Sequence, residues 1–427
     1  MSHKKLLIVQ VAGLGADLAN AHVDALAGTG LSFHALRPPF PAVTCTAQAT
    51  FRTASAPADH GMVCNGFFDR DARRTEFWNQ SARLVQGCRV WTRFRERGGT
   101  VGVLFWQQIL GEEADLVFSP APVHKHHGGM IQACYALPRE LEEELTRNVG
   151  AFNLRHYWGP LASAKASLWI TAATETLLDQ PERCPDVLLT YLPHLDYVLQ
   201  RHGPTDTKHL PDEMEILGDC LTRLAKAADS AGRELLVWGD YAITPATQVA
   251  HPNQVLRRDG LLEVRRIRGM TYPDLYASRA FAMVDHQVAH VFVPNPDDIG
   301  KVRQCLETME GVDRIEPRAA HGHPREGELI LTAAPGNWFA YPWWDDPREA
   351  PDYARHVDIH SKIGFDPCEL FWGWPPMSVS LDTSRVGGTH GRNDALACFA
   401  TTTKLADTLP ENLVELATAV RTWLDNA

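Results

Sequence analysis

Leu6-Leu-Ile-Val-Gln-Val11 runs straight into Ala12-Gly13-Leu14-Gly15. A short apolar run closed by glycines suits a strand buried on both faces, the pattern of a parallel sheet. The pattern returns at Val101 to Trp106, Val187 to Leu192 and Leu235 to Trp238, with helical spacing between the runs. These four runs predict one α/β unit spanning residues 1–427, with a mostly parallel central sheet flanked by helices. Residues 281–335 read differently. Met283-Val-Asp-His-Gln-Val-Ala-His-Val-Phe-Val293 is strand-like, Asp297 to Glu310 has helical spacing and is followed by a further strand, and Gly327-Glu-Leu-Ile-Leu-Thr332 comes after this β-α-β piece. This predicts an inserted β-α-β subdomain.

Composition narrows the function. The chain has 427 residues, 44% hydrophobic and 22% charged, which is globular and rich enough to bury a large core. Its 41 Lys and Arg against 52 Asp and Glu give a net charge of -11, which offers a nucleic-acid polymer no general attraction. The opening apolar stretch is too short for a signal peptide, and no run reaches the roughly 18 apolar residues of a membrane helix. Nine scattered cysteines form no Cys-x-x-Cys pair. The expectation is a cytoplasmic protein that is neither membrane-bound nor disulfide-built.

Open α/β sheets bind ligands beyond the carboxyl ends of their strands. The polar residues after the apolar runs are therefore the first candidates. They lie in Pro41-Ala-Val-Thr44-Cys-Thr46, Tyr191-Leu-Pro-His194-Leu-Asp196, and Trp238-Gly-Asp240-Tyr241. Further on come His60-Gly61 with Asn65, and Gly388-Thr389-His390-Gly391-Arg392.

In this order the motifs resemble the alkaline phosphatase superfamily, and within it the nucleotide pyrophosphatase/phosphodiesterase branch and the phosphonoacetate hydrolases. The resemblance implies that Thr44 is the nucleophile, with Thr46 an adjacent competitor, and that Asn65 donates to a phosphoryl oxygen. It places metal ligands at Ala12, Asp196, Gln200, Asp240, Tyr241 and His390. Asp196, Asp240 and His390 keep ligand chemistry, whereas Ala12, Gln200 and Tyr241 depart from the family's aspartate and histidines. Gln200, four residues after Asp196, shares its helix face, while His202 at six residues does not. A closer resemblance, over Pro41 to Thr50, Tyr191 to Pro204, Ala280 to Val293 and Ala350 to Phe371, is to a bacterial subgroup that also lacks the usual ligands.

The resemblance therefore implies a phosphoesterase cutting a phosphodiester or pyrophosphate of a small phosphorylated metabolite through a phospho-threonine. Its metal would be one divalent ion, Zn²⁺, Mn²⁺ or Mg²⁺, held by Asp196, Asp240 and His390, with no ion as the alternative. Tyr241 would donate a hydrogen bond, and Arg392 would clamp a phosphate. The alternatives are a transferase and a silent protein that binds a phosphometabolite or partner.

Other clusters compete. His124-Lys-His126-His127 reads as a polar loop. In Asp285, His286 and His290, strand alternation sends the first two to opposite faces. Asp358 and His360 replace a lost ligand in one reading and form a surface turn in the other. Trp338 to Trp344 reads as core or as a leaving-group pocket.

Overall fold

The computed structural model describes residues 4–126 and 129–426. An eight-stranded sheet forms the centre. In chain order its strands are β1 (Leu6–Val11), β2 (His34–Leu36), β3 (Val101–Leu104), β4 (Leu116–Pro120), β5 (Cys134–Leu137), β6 (Val187–Leu192), β7 (Glu234–Gly239) and, near the C-terminus, β12 (Ala397–Thr401). Their spatial order is β2-β12-β7-β1-β6-β3-β4-β5. From β7 to β4 the neighbours are parallel, and β2, β12 and β5 are antiparallel additions at the edges.

Every residue of β1 and β6 is buried, which is why these strands read as unbroken apolar runs. Helices supply the cover. α1 (Thr44–Thr53) packs with α6 (Leu413–Asp425), and α2 (Lys165–Leu178) packs with α4 (Leu210–Ser230). Leu189 and Leu236 are wholly buried, and each such side chain contributes about 1.5–3 kcal/mol. A carboxylate at either position would be an unpaired charge in the core.

β1 lies between β6 and β7, so the three loops leaving their carboxyl ends meet at one place. The approach is close. A Cβ on Gly239 would lie 2.1 Å from the Leu14 carbonyl oxygen, so only glycine fits there.

Residues 281–333 form a second, four-stranded antiparallel sheet, in which the first strand-like run is two strands instead of one. It contains β8 (Phe281–Asp285), β9 (Val288–Phe292), β10 (Val312–Pro317) and β11 (Leu329–Ala333), ordered β8-β9-β11-β10, with helix α5 (Ile299–Glu307) between β9 and β10. The run Met283–Val293 is a tight hairpin whose turn is His286-Gln287. The turn carries no glycine or asparagine. His286 takes φ +57°, and Phe339 N–H donates to its carbonyl while Gln287 N–H donates to the His390 carbonyl. Tertiary bonds, invisible in the sequence, hold the turn. Phe339, Tyr341, Trp343 and Trp344 are buried in the core packed around this sheet and Trp338 in a smaller apolar cluster with Tyr197 and Leu370, so the aromatic cluster is core.

Candidate active site

Thr44 is the first residue of α1, where the helix N-terminus favours negative charge. The loop before it is strapped to the C-terminal motif: Ala42 N–H donates to the Gly391 carbonyl, and His390 Nδ1 lies 2.7 Å from the Ala42 carbonyl. His390 therefore holds its proton on Nδ1 and keeps Nε2 as an acceptor. Asp196 sits in the first turn of α3 (His194–His202), one turn before Gln200. Asp240 and Tyr241 directly follow β7.

A short chain of bonds joins these elements. Thr44 Oγ1 lies 3.2 Å from the Tyr241 hydroxyl, which donates to Asp196 Oδ1 at 3.0 Å. The other oxygen of Asp196 accepts from Gln200 Nε2 at 2.6 Å. The Tyr241 ring stacks on His390, 3.6 Å between centroids and 4° from parallel, and His390 meets His286 at 3.7 Å. His390 Nε2 is 3.9 Å from Asp196 Oδ1.

Asp240 has a separate set of partners. Oδ2 accepts from Gln10 Nε2 at 2.8 Å, and Oδ1 accepts from the N–H groups of Gly13 and Tyr241. Gln10 in turn accepts from Gln48, whose own oxygen accepts from Gln107 N–H. Asn65 is held from two sides: Oδ1 accepts from Cys45 N–H, and Nδ2 donates to Asp285. Asp285 also accepts from Asn65 N–H and the Cys64 thiol.

Burial dominates the electrostatics. It pushes the Asp196 carboxyl up to about 6, against the lowering pull of Gln200 and Tyr241. It pushes Asp240 up to about 8, with the neighbouring Asp196 charge adding to the rise. The imidazole of His390 falls to about 3 and that of His286 well below its ordinary value, so both rings are neutral. Cys45, beside Thr44, rises to about 12 through burial and is an inert thiol.

Thr44, Tyr241, Asp196, Gln200 and His390 thus come together, and Asn65 lies one residue contact away through Cys45. Thr46 is fully buried and its hydroxyl has no partner, so Thr44 is the hydroxyl wired to the site. Arg392 does not enter this chain of bonds. It pairs with Asp394 and Asp313 and donates to the Ala333 carbonyl. Nor do Asp358 and His360: Asp358 caps a local turn by accepting from His360 and Ser361 N–H, and His360 Nδ1 bonds the Phe77 carbonyl. His202 ends α3 exposed, on another face from Asp196. His124 is exposed and meets the His360 ring, and His127 lies outside the described residues. His290 is satisfied by backbone, with Nε2 on the Val63 carbonyl and Nδ1 accepting from Gly327. The alternation argument for Asp285 and His286 does not hold, because the hairpin turn brings His286 Nε2 within 3.9 Å of Asp285.

Residues 6–366 match the family described as type I phosphodiesterase / nucleotide pyrophosphatase. The chain belongs to that family of phosphoester hydrolases. No curated protein matches it in sequence. Among solved structures it is similar to the phosphonoacetate hydrolase of Sinorhizobium meliloti in complex with phosphonoformate, at 14% identity and TM-score 0.66, covering 99% of this chain and 96% of that one. The same enzyme in complex with phosphonoacetate gives 15% and 0.62. Murine ectonucleotide pyrophosphatase / phosphodiesterase 5 gives 12% and 0.60, covering 99% and 95%. At these identities the likeness is one of fold.

Members of this superfamily use divalent metal ions. The donor set here does not fit a two-ion centre. Ala12 and Tyr241 stand at positions where the resemblance implies ligands, and both oxygens of Asp240 take N–H donors. Asp196 likewise spends one oxygen on a phenol and the other on an amide. The ligand atoms of Asp196, Asp240 and His390 do not all lie within 4.8 Å of one another. Among the described residues, the one His, Cys, Asp or Glu trio whose ligand atoms lie within 4.8 Å of one another is His202, Asp206 and His209.

Sequence reasoning passed over Gln10 and Gln48, which hold Asp240, and the pairing of Asp285 with Asn65. For Gln10 a signal existed, since one amide inside an apolar strand must find a buried partner.

Proposed function

We propose that this chain hydrolyses a small phosphate ester, a phosphodiester or pyrophosphate in preference to a monoester, by attack of Thr44 on phosphorus. The observation that carries the reading is the hydroxyl chain from Thr44 through Tyr241 to Asp196. Tyr241 has one proton, which it gives to the carboxylate, so its oxygen accepts the proton of Thr44.

As Thr44 Oγ1 bonds phosphorus and the ester bond breaks, the Thr44 proton moves to Tyr241 and the Tyr241 proton to Asp196. The departing alkoxide takes a proton from solvent. Water then attacks the phospho-threonine and gives its spare proton to solvent. Thr44 leaves by recovering its proton through the same chain, which returns Asp196 to a carboxylate. A base at about 6 is matched to work near neutral pH. The helix N-terminus and the second N–H of Asn65 Nδ2 face the charge that develops on the phosphoryl oxygens. No step passes through a metal ion, because the carboxylates that would hold one are already engaged.

Nine unpaired cysteines support a reducing, cytoplasmic setting for a small phosphorylated substrate. No described helix is long and apolar enough to cross a membrane.

The test is turnover of a panel of small phosphodiesters, nucleotide pyrophosphates and phosphonates, with intact-mass and peptide analysis of the quenched enzyme. Expected are product release and a phosphoryl adduct on the Thr44 peptide, both absent in Thr44→Ala. Turnover retained by Thr44→Ala overturns the assignment.

A further inference from the structure

The helix carrying Asp196 and Gln200 ends at His202, and α4 begins at Leu210. The loop between them is tightly organised. Asp206 Oδ2 accepts from the backbone N–H of His209 at 2.7 Å and of Leu210 at 3.3 Å, capping the start of α4. The same oxygen lies 3.0 Å from His209 Nδ1. The His202 ring stacks on the His209 ring, 4.1 Å between centroids and 21° from parallel. One ligand atom from each of the three residues lies within 4.8 Å of the other two.

Backbone donors orient the Asp206 carboxyl through Oδ2, which leaves its other oxygen, Oδ1, as the ligand offered to the ion. We propose that His202, Asp206 and His209 bind one divalent transition-metal ion of the Zn²⁺ class, with water completing an open coordination shell. Two imidazole nitrogens and one carboxylate oxygen select such an ion over Mg²⁺ or Ca²⁺, which prefer oxygen ligands throughout. On binding, the ion takes one nitrogen of each neutral imidazole, and the ring proton stays on the other nitrogen.

The ion would clip the end of α3 to the start of α4. Gly203, next to His202, has φ +80° and lies so close to Gly387 that a Cβ would stand 2.8 Å from its carbonyl oxygen. Gly387 begins the segment that runs to His390. The clip therefore stiffens one rim of the site and supplies no group to the chemistry.

The test is Zn²⁺ titration of the full chain by calorimetry, and Co²⁺ titration by visible absorption, on wild type, His202→Ala, His209→Gln and Asp196→Asn. His202 is exposed, so its loss leaves the fold intact. Expected are one equivalent bound by wild type and by Asp196→Asn, and affinity weakened about tenfold or more in each histidine variant, with loss of the cobalt bands. His202→Ala keeps its hydrolytic turnover, so this result and that at Thr44 are read separately. Failure of wild type to bind at millimolar Zn²⁺, or an ion retained by both histidine variants, overturns the proposal, as does an ion lost only in Asp196→Asn.

Discussion

Asp240 and Asp196 leave the ends of neighbouring parts of one sheet, are both buried, and are both pushed above the ordinary carboxylate range, yet their surroundings make them different groups. Asp240 is held by an amide and two backbone N–H groups, none of which can move a proton usefully. Asp196 is reached by a phenol that in turn reaches Thr44. A buried carboxylate becomes a working base when its donor belongs to a chain of hydroxyls; fixed amide donors make it a strut.

Variants can break the comparison, beginning with the largest effect. Thr44→Ala removes the attacking oxygen and is expected to lower kcat by about 10³-fold or more, measured by phosphate or alcohol release. Asp196→Asn removes the proton acceptor and is expected to cost about 10²–10⁴-fold. In wild type, kcat/KM should climb as pH rises through about 6, the value of Asp196, and this step should vanish in Asp196→Asn. Tyr241→Phe cuts the chain while leaving the ring stack on His390, and is expected to cost about 10²-fold. Loss of the phenol's hydrogen bond also removes a lowering influence on Asp196, so the remaining pH midpoint should move upward.

The smallest effect is expected at Asp240, and it sharpens the contrast. Asp240→Asn should change kcat by less than about tenfold, within the range of a group that only positions others. Its signature lies in stability. The native carboxyl holds its proton up to about 8 while the unfolded one releases it near 3.8, so this contribution is complete below the lower value and lost as pH rises through the upper. Wild-type thermal stability should therefore decline across that window, and the decline should be shallower in Asp240→Asn, read as Tm at a series of pH values.

Much of this was legible in the sequence where burial imposes a pattern. The strands at Leu6, Val101, Val187 and Glu234 are covered on both faces and show as apolar runs, whereas β2 is three residues long and sits at an edge, where its neighbours decide its conformation. Motif order drew attention to Thr44, Asp196 and His390, and the structure brings them together beyond one end of the sheet. The i,i+4 pairing of Asp196 with Gln200 followed from helix geometry, as did the exclusion of His202 from that face. That Arg392 pairs with Asp313 was hidden because this partner arrives from another sheet, 79 residues away in sequence. The turn at His286 was hidden for the same kind of reason, being held by Phe339 and His390 instead of by its own residues. His209 escaped notice beside His202 because one ends α3 and the other precedes α4, and only the folded loop stacks them.

The central claim is that Thr44 is activated by Tyr241 and Asp196, without a metal ion between them. It is tested most directly by the pH–rate profile for a small phosphodiester after exhaustive chelation, with residual metal checked by elemental analysis, in wild type and Tyr241→Phe. The account predicts that wild-type turnover survives chelation and still rises through about pH 6, while Tyr241→Phe is impaired at every pH. Turnover abolished by chelation and restored by Zn²⁺, in wild type and in His202→Ala alike, would contradict it.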